Sequence, residues 1–397
     1  MTRVALMPSA YPPSVGGVEE LTRHLALALR AAGDEVEVWT GLPDDHDDES
    51  VEVRDGLVVR RFPMPLPASS VTAVTHATTA GWRTMRSLRR AVATFRPDVL
   101  HVQCFGPNGA YATALSRLCR VPLVVTLQGE TLMDDADIFD VSQVLRSALR
   151  AGLRTASAVT ACSAFTLDDA VARFGLAAGR GQVIFNGVSL DGASHRDAPV
   201  DLPPPLGRVP YVLALGRVVD KKGFDLLLAG YAAMDPTRRN ADLVIGGGGS
   251  ALERLEAQAE ESGIGDRIHF VGRLTREQVA AAMAGSVAFV MPSRLEPFGI
   301  VALEGWRAGT AVIATDRGGA PEFIRDGVDG LLVDPFDTAA VATVLGRVLA
   351  DDPLRRSLAA AGRARVEGFA WPRIADAYRS VYATVAAEGG RRERVAS

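Results

Sequence analysis

The sequence predicts an α/β protein built from two parallel, doubly wound sheets, and three observations carry that prediction. Short apolar runs alternate with helix-period segments along the whole chain. Runs such as Val287-Ala-Phe-Val-Met291 and Ala311-Val-Ile-Ala314 read as buried strands. The alternation lapses once, between Asp191 and Pro210, where three consecutive prolines sit in a stretch without periodicity, and it restarts at Tyr211. The chain therefore divides into a domain over 1–190, a linker over 191–210 and a second domain over 211–369, followed by a last helix at 370–390.

Composition narrows the function classes. A chain of 397 residues is long enough for two domains, each with its own core. Hydrophobic residues at 48% and charged residues at 23% place it among globular proteins. A formal net charge of −4 speaks against a general nucleic-acid partner. Cys104, Cys119 and Cys162 are odd in number and lack CxxC spacing, so neither a disulfide framework nor a zinc site is expected. No apolar run reaches the roughly 18 residues of a membrane span. The apolar part of Thr2-Arg-Val-Ala-Leu-Met-Pro8 is too short for a signal peptide, and the expected location is cytoplasmic.

Taken in order, residues 3–8 read as a first strand. A glycine-rich loop containing Gly16 and Gly17 then runs into a helix marked by Leu21, Leu25 and Leu29 and stopped by Gly33. Adjacent glycines at such a junction let backbone approach a ligand closely. Glu35-Val-Glu-Val-Trp39 is a strand, and Asp44-Asp-His-Asp-Asp-Glu49 is an acidic loop rather than a metal motif. From Trp82 to Phe95 a helix carries Trp82, Met85, Leu88, Val92 and Phe95 on one side and Arg83, Arg86 and Arg90 on another; Arg146, Arg150 and Arg154 repeat the basic stripe. Solvated faces are the reading taken for both, ahead of peripheral contact with an anionic membrane. Pro97-Asp-Val-Leu-His-Val-Gln103 and Pro122-Leu-Val-Val-Thr-Leu-Gln128-Gly-Glu130 are buried strands whose polar ends are expected to point into a ligand crevice. Ala158–Ser163 and Gln182–Val188 repeat the pattern. Beyond the linker, strands at 211–217, 242–245 and 267–272 alternate with helices, and late helices are expected at 338–349 and 354–367.

The chemistry concentrates in the second domain. Between the strands at 287–291 and 311–314, Pro297 and Gly299 open a helix that Gly309 closes. Glu296 in the loop and Glu304 in the helix can face one crevice, where carboxylates accept hydrogen bonds from sugar hydroxyls. The first-turn amides of Phe298, Gly299 and Ile300 favour a phosphate. Of the 43 Lys and Arg residues only Lys221 and Lys222 are lysine, and they lie just past a strand end, after Gly216-Arg217 and before Gly223. A guanidinium at 217 can grip a diphosphate bidentately while Lys222 adds a compact charge on a flexible stem. Together these features describe a nucleotide-sugar site in which two cations, rather than a metal or cofactor, neutralise the departing diphosphate.

Glu296-x7-Glu304 enclosing Pro297-Phe298-Gly299 resembles the signature of the retaining glycosyltransferases of family four. The likeness extends over nearly the whole chain, through Gly16-Gly17, Asp98-Val-Leu-His101, Asn186-Gly-Val188, Gly216-Arg217 with Lys222-Gly223, Gly318-Gly319 with Pro321-Glu322, and a final helix led by Trp371. The resemblance implies the GT-B fold, two facing Rossmann-like domains whose C-terminal helix crosses back to the first. It implies that Arg217 and Lys222 bind the donor diphosphate, Glu304 the ribose hydroxyls and Glu296 the transferred sugar. Gly17 would lie near the donor phosphate, and the acceptor pocket would lie in the first domain, where Gly16, His101, Gln103, Gln128 and Glu130 are the candidates. The implied reaction is transfer of a hexose-type sugar from a nucleoside-diphosphate sugar, UDP first and GDP second, to a hydroxyl acceptor with retention. Three positions depart from the pattern. Gln128 and Gln103 stand where His is frequent, and Gly248 where Asp is. Gln cannot act as a base, although Gln128 can still hydrogen-bond a sugar or acceptor.

Three rivals differ in what they require. A nicotinamide enzyme would use Gly246-x-Gly248-x-x-Ala251, but the acidic residue at the right spacing, Asp266, precedes the next strand instead of closing it. A sugar-binding protein would have no use for Arg217, Lys222 and a phosphate-ready helix. A relative that hydrolyses or epimerises nucleotide sugars differs only in its products.

Overall fold

The computed structural model describes the chain apart from Val15, 43–48, 67–70, 135–136, 191–199 and Ser397, and apart from the side chains of 71–79 and 389–396. The acidic loop read at 44–49, save its last residue, and the first nine positions of the linker lie outside the described residues. The chain forms two units, Met1–Gly187 with Trp371–Ser397, and Val188–Ala370.

In the first unit the order is β1 (Arg3–Pro8), α1 (Gly17–Ala31), β2 (Glu35–Gly41), β3 (Ser50–Arg54), β4 (Leu57–Phe62), α2 (Val71–Phe95), β5 (Val99–Gln103), α3 (Pro107–Cys119) and β6 (Leu123–Leu127). It continues through α4 (Glu130–Met133), α5 (Ile138–Val141), α6 (Gln143–Thr155), β7 (Ala158–Ala161), α7 (Ala164–Phe174) and β8 (Gly181–Val183). The sheet runs β3-β4-β2-β1-β5-β6-β7-β8 and is parallel except for the edge hairpin β3–β4. The strands are Val- and Leu-rich because helices cover both faces; Val4, Leu6, Val99, Val102, Leu123 and Val125 are all fully buried. One detail departs from the sequence reading. Trp82 does not join Met85 and Leu88 on the inner side of α2 but is 65% exposed.

The second unit holds β9 (Tyr211–Leu215), α8 (Phe224–Ala232), β10 (Asp242–Gly246), α9 (Leu252–Glu261), β11 (Ile268–Phe270), α10 (Arg276–Gly285) and β12 (Ala288–Met291). After these come α11 (Ile300–Ala308), β13 (Ala311–Thr315), β14 (Leu331–Val333), α12 (Thr338–Ala350) and α13 (Asp352–Arg365). Its sheet, β11-β10-β9-β12-β13-β14, is wholly parallel. In both sheets the winding reverses beside the first strand, between β1 and β5 and between β9 and β12. At such a reversal two successive loops diverge and leave a crevice beyond the carboxyl ends of the strands.

The last helix, α14 (Trp371–Ala396), returns to the first unit. Trp371 stacks on His24 of α1 with ring centroids 5.8 Å apart, and Arg379 pairs with the buried Asp34 at 3.0 Å. These two parallel α/β units with a returning terminal helix have GT-B architecture.

Helix α11, which carries the candidate carboxylate Glu304, is anchored by Trp306. This side chain is fully buried against Phe323 and Phe369, and its indole N–H donates to Asp329 O at 2.7 Å. Trp306→Ala should therefore destabilise the protein by about 3–5 kcal/mol. Trp82→Ala should stay within about 0.5 kcal/mol. Urea unfolding of both variants checks the contrast, and similar costs would contradict the packing described.

Candidate functional site

The crevice of the second unit is built from the loops that follow β9, β12 and β13. Because β9 and β12 are neighbours in the sheet although far apart in sequence, their loops meet. Lys222 lies on a short 3-10 turn, Asp220–Lys222, after β9. Its Nζ donates to Glu296 Oε2 at 2.7 Å, and Ser293 Oγ donates to the same oxygen at 2.7 Å. Glu296 and Ser293 are buried, whereas Lys222 is partly exposed. Arg294 straps the two loops together. It forms two bonds to Asp225 at the start of α8, 2.7 and 2.6 Å, and a third to Asp220 O at 2.7 Å.

Two glycines allow this convergence. Gly223 has φ 67°, and a Cβ there would sit 2.1 Å from Pro292 O. Gly318, after β13, has φ 114°, and its Cβ would sit 2.2 Å from Glu296 O. Any side chain at either position would push the loops apart. The third loop is tied in through the same residue. Glu296 N donates to Arg317 O at 3.0 Å, and Gly319 N donates to Glu296 O at 2.8 Å.

Helix α11 begins at Ile300 behind Gly299, with no side-chain cap. The Glu296 side chain folds over this end of the helix, its Cγ 3.3 Å from where a Gly299 Cβ would lie. The Phe298 ring is buried on Phe323, so only the backbone at 298 can serve a ligand. Glu304 is half-buried on α11 and makes no hydrogen bond or ion pair among the described residues. Desolvation pushes its carboxyl above the usual range, against Arg307 and Arg276. Arg217 is exposed just past β9. The glycine run 246–249 packs against that same loop. Gly216 N donates to Gly246 O at 3.1 Å and Val218 N to Gly248 O at 3.0 Å, while Gly247 N is taken by Gly272 O at 2.7 Å. Close backbone packing thus accounts for the run that formally matched a dinucleotide fingerprint.

In the first unit, register creates the site. Gln103 pairs with Thr126, and Thr126 with Thr160, across β5, β6 and β7, so their side chains share one face of the sheet, with His101 two residues back on β5. Gln128 Nε2 donates to Gln103 Oε1 at 3.0 Å, and Asn186 Nδ2 donates to Gln128 Oε1 at 2.9 Å. Gln103 Nε2 lies 3.2 Å from His101 Nε2, which therefore accepts. His101 Nδ1 then carries the proton that it donates to Tyr382 Oη on α14 at 2.6 Å. Thr126 Oγ1 also reaches His101 Nε2, at 2.7 Å.

This geometry corrects part of the sequence reading. His101 and Gln103 are fully buried, so they orient Gln128 and do not face an acceptor themselves. Gln128, half-buried, is the member of the network that reaches the crevice. Glu130 is a clamp. Its two oxygens accept the amides of Phe105 at 2.5 Å and Gln128 at 2.6 Å, fixing the loops after β5 and β6, and burial raises its carboxyl to about 7. Gly16 caps α1, and nothing lies within 4 Å of a Cβ placed on Gly17, leaving open space at the helix start. Ser293, Arg294, Tyr378 and Tyr382 were missed as contributors. The last two stand four residues apart on a helix, a spacing that marks one face but not its partner.

Burial lowers the His101 pKa from 6.5 to about 3, so its imidazole is neutral in the folded chain. The unfolded chain gains this proton below pH 6.5 while the folded chain does not. Stability contributed by this residue is therefore complete above that pH and falls toward pH 3, by up to about 1.4 kcal/mol per pH unit. Glu130, raised from 4.5 to about 7, contributes a slope of opposite sign in both chains. Urea melts across this range should therefore show the His101 slope as the difference between the natural chain and His101→Asn. Equal slopes would mean that the imidazole titrates normally.

Comparison with known proteins agrees with this arrangement. Residues 204–365 match the family described as Glycosyl transferases group 1, and residues 16–187 match the Glycosyl transferase 4-like domain. A D-inositol 3-phosphate glycosyltransferase of Xylanimonas cellulosilytica is 31% identical over 93% of this chain and 91% of its own length. A GDP-mannose-dependent alpha-(1-6)-phosphatidylinositol monomannoside mannosyltransferase of Mycolicibacterium smegmatis is 34% identical over 90% of this chain and 92% of its own. Among solved structures, sucrose-phosphate synthase from Thermosynechococcus elongatus superposes with a TM-score of 0.77 at 25% identity, covering 97% of this chain and all of that one. With its Glu296-centred crevice, its paired α/β units and relatives matched along almost their full length, the chain belongs to the family-four glycosyltransferases of GT-B fold.

Proposed function

We propose that this glycosyltransferase moves a hexose or N-acetylhexosamine unit from a nucleoside-diphosphate sugar to a hydroxyl acceptor, with retention and without a metal. UDP is the first candidate nucleotide and GDP the second. The observation that carries this reading is the Lys222–Glu296–Ser293 cluster at the switch point of the second unit. A buried carboxylate held by a lysine has the charge balance that a phosphate-bearing ligand would exploit. Lys222 can turn its ammonium to the diphosphate, and Glu296 can then accept hydrogen bonds from the sugar hydroxyls.

In this mechanism Arg217 grips the diphosphate, aided by the start of α11, and Glu304 accepts the ribose hydroxyls. An unpartnered, half-buried carboxylate is suited to that task, because two hydroxyl donors would offset its desolvation. The bond from the anomeric carbon to the phosphate oxygen breaks while the acceptor oxygen bonds the same face of that carbon. The acceptor proton passes to the departing phosphate. Arg217 and Lys222 stabilise the charge that grows there. Gln128, held by Gln103 and Asn186, retains one N–H and one lone pair for an acceptor or sugar hydroxyl.

Lys222→Ala and Glu296→Ala should each lower transfer by at least about a hundredfold. Single-turnover assays on variants shown to be folded check this, and near-normal turnover in either would sink the assignment. A thermal-shift panel of UDP, GDP, ADP and NAD(P)H tests the donor. Saturation at about a hundred times Kd adds about 2.7 kcal/mol of stability, so the true nucleotide raises Tm. A rise with NAD(P)H alone would overturn the reading. Release of free sugar without a glycoside would replace transfer by hydrolysis.

A further inference from the structure

Many arginines in this chain are held by carboxylates. Arg60 pairs with Glu37, Arg61 with Glu52, Arg267 with Asp242, Arg294 with Asp225 and Arg317 with Asp334. One region holds no such pair among the described residues. Helices α2, α3 and α6 pack side by side on one face of the first unit's sheet, α2 against α3 and α3 against α6. None of the three contains an Asp or Glu, in a chain that has 47 of them. Their exposed arginines include Arg83, Arg86 and Arg90 of α2, Arg117 of α3, and Arg150 and Arg154 of α6. None of these six has a carboxylate partner among the described residues.

A solvated face does not require this composition. Like charges at helical spacing repel, and a soluble surface ordinarily intersperses both signs. The same layer also exposes large apolar side chains. Trp82 is 65% exposed, Leu118 60% and Val144 43%, and Val141, just before α6, is 72% exposed. Arg86 lies over the Trp82 ring at 5.7 Å, so the indole is already flanked by a cation. Guanidinium groups without carboxylate partners, interleaved with an exposed indole and aliphatic tips, match the boundary of an anionic bilayer. There phosphates meet the arginines, and the indole sits at headgroup level. Nucleic acid would use the arginines but leave Leu118, Val141 and Val144 without a role.

We propose that the outer face of α2, α3 and α6 docks on bilayers that carry anionic lipid headgroups, with Trp82 entering the interface. This replaces the solvated-face reading of the two basic stripes and stands independently of the donor and acceptor assigned above.

The test uses the full chain with vesicles of phosphatidylcholine alone and of an equimolar phosphatidylcholine–phosphatidylglycerol mixture. Trp39 and Trp306 are fully buried and Trp371 is 7% exposed, so a change in tryptophan emission on binding reports Trp82. Co-sedimentation with the mixed vesicles alone, accompanied by a blue shift that Trp82→Phe abolishes, is the expected result. The triple substitution Arg83→Gln, Arg86→Gln, Arg90→Gln should lower partitioning roughly a hundredfold, on about 1 kcal/mol for each cation near the surface. Its Tm should match that of the natural chain, which separates lost docking from misfolding. Absence of binding to mixed vesicles, or equal binding to neutral ones, would overturn the proposal. Binding without a blue shift, matched by equal retention on soluble heparin, would overturn it in favour of a general polyanion surface.

Discussion

Glu296 ties three loops that the chain supplies from widely separated places, and the second unit's crevice depends on it. Its amide and carbonyl are bonded to the loop after β13, and its carboxylate to Lys222 after β9 and Ser293 after β12. Neither connection is possible without two backbone contacts closer than any side chain permits, at Gly223 and Gly318. A charge pair this sheltered from water is costly unless its geometry is held by its surroundings. Arg294 provides that hold, because its three bonds to Asp225 and Asp220 set the spacing of the two loops before any ligand arrives. Preorganised charges of this kind need not reorganise when a substrate's own charge changes.

The first unit solves the corresponding problem with neutral groups. Its row of Gln103, Thr126 and Thr160 lies in the sheet interior, where an ionised side chain would pay full desolvation, and the one titratable member, His101, is kept neutral by that environment. Amides suit such a place because donor and acceptor can both be satisfied at any pH. The chain's last helix completes the row through Tyr382, so residues nearly 300 positions apart in sequence settle the orientation of a single amide at Gln128. This explains why α14 must return to the first unit. Without it His101 Nδ1 would be a buried donor with no acceptor.

Much of this was legible in the sequence, for reasons that can be named. Periodicity and Gly/Pro punctuation mark strands and helices locally, so the unit around Glu296 and the helix opened by Gly299 could be read directly. The lysine pair stood out because the rest of the basic residues are arginine. What could not be read is what depends on pairing. The alignment of Thr126 with Thr160, the burial of His101 at mid-strand and the meeting of Lys222 with Glu296 all follow from sheet order and register, which no single segment encodes. The role of Glu130 was likewise hidden, because a carboxylate that bonds two backbone amides looks, in sequence, like one available to a substrate. The basic stripes were visible, but only the packing of α2, α3 and α6 showed that they share one face without acids.

The contrast between the two units bears on where a proton can go. On the proposed reaction the acceptor hydroxyl must lose its proton as the new bond forms. Near Gln128 the side chains offer little to receive it. His101 is buried, with its Nε2 already in contact with Thr126 Oγ1 and Gln103 Nε2, and Glu130 has both oxygens engaged by amides. An amide at 128 can align a hydroxyl but cannot deprotonate it. The departing phosphate, by contrast, gains negative charge as the glycosidic bond breaks and becomes the strongest base at the reacting centre. On the proposed reaction, the fixed cations around Glu296 and the neutral hydrogen bonds around Gln128 therefore fit a base supplied by the substrate. In that proposed reaction, Gln128 in place of the frequent histidine would alter how the acceptor is aligned and leave the proton's destination unchanged.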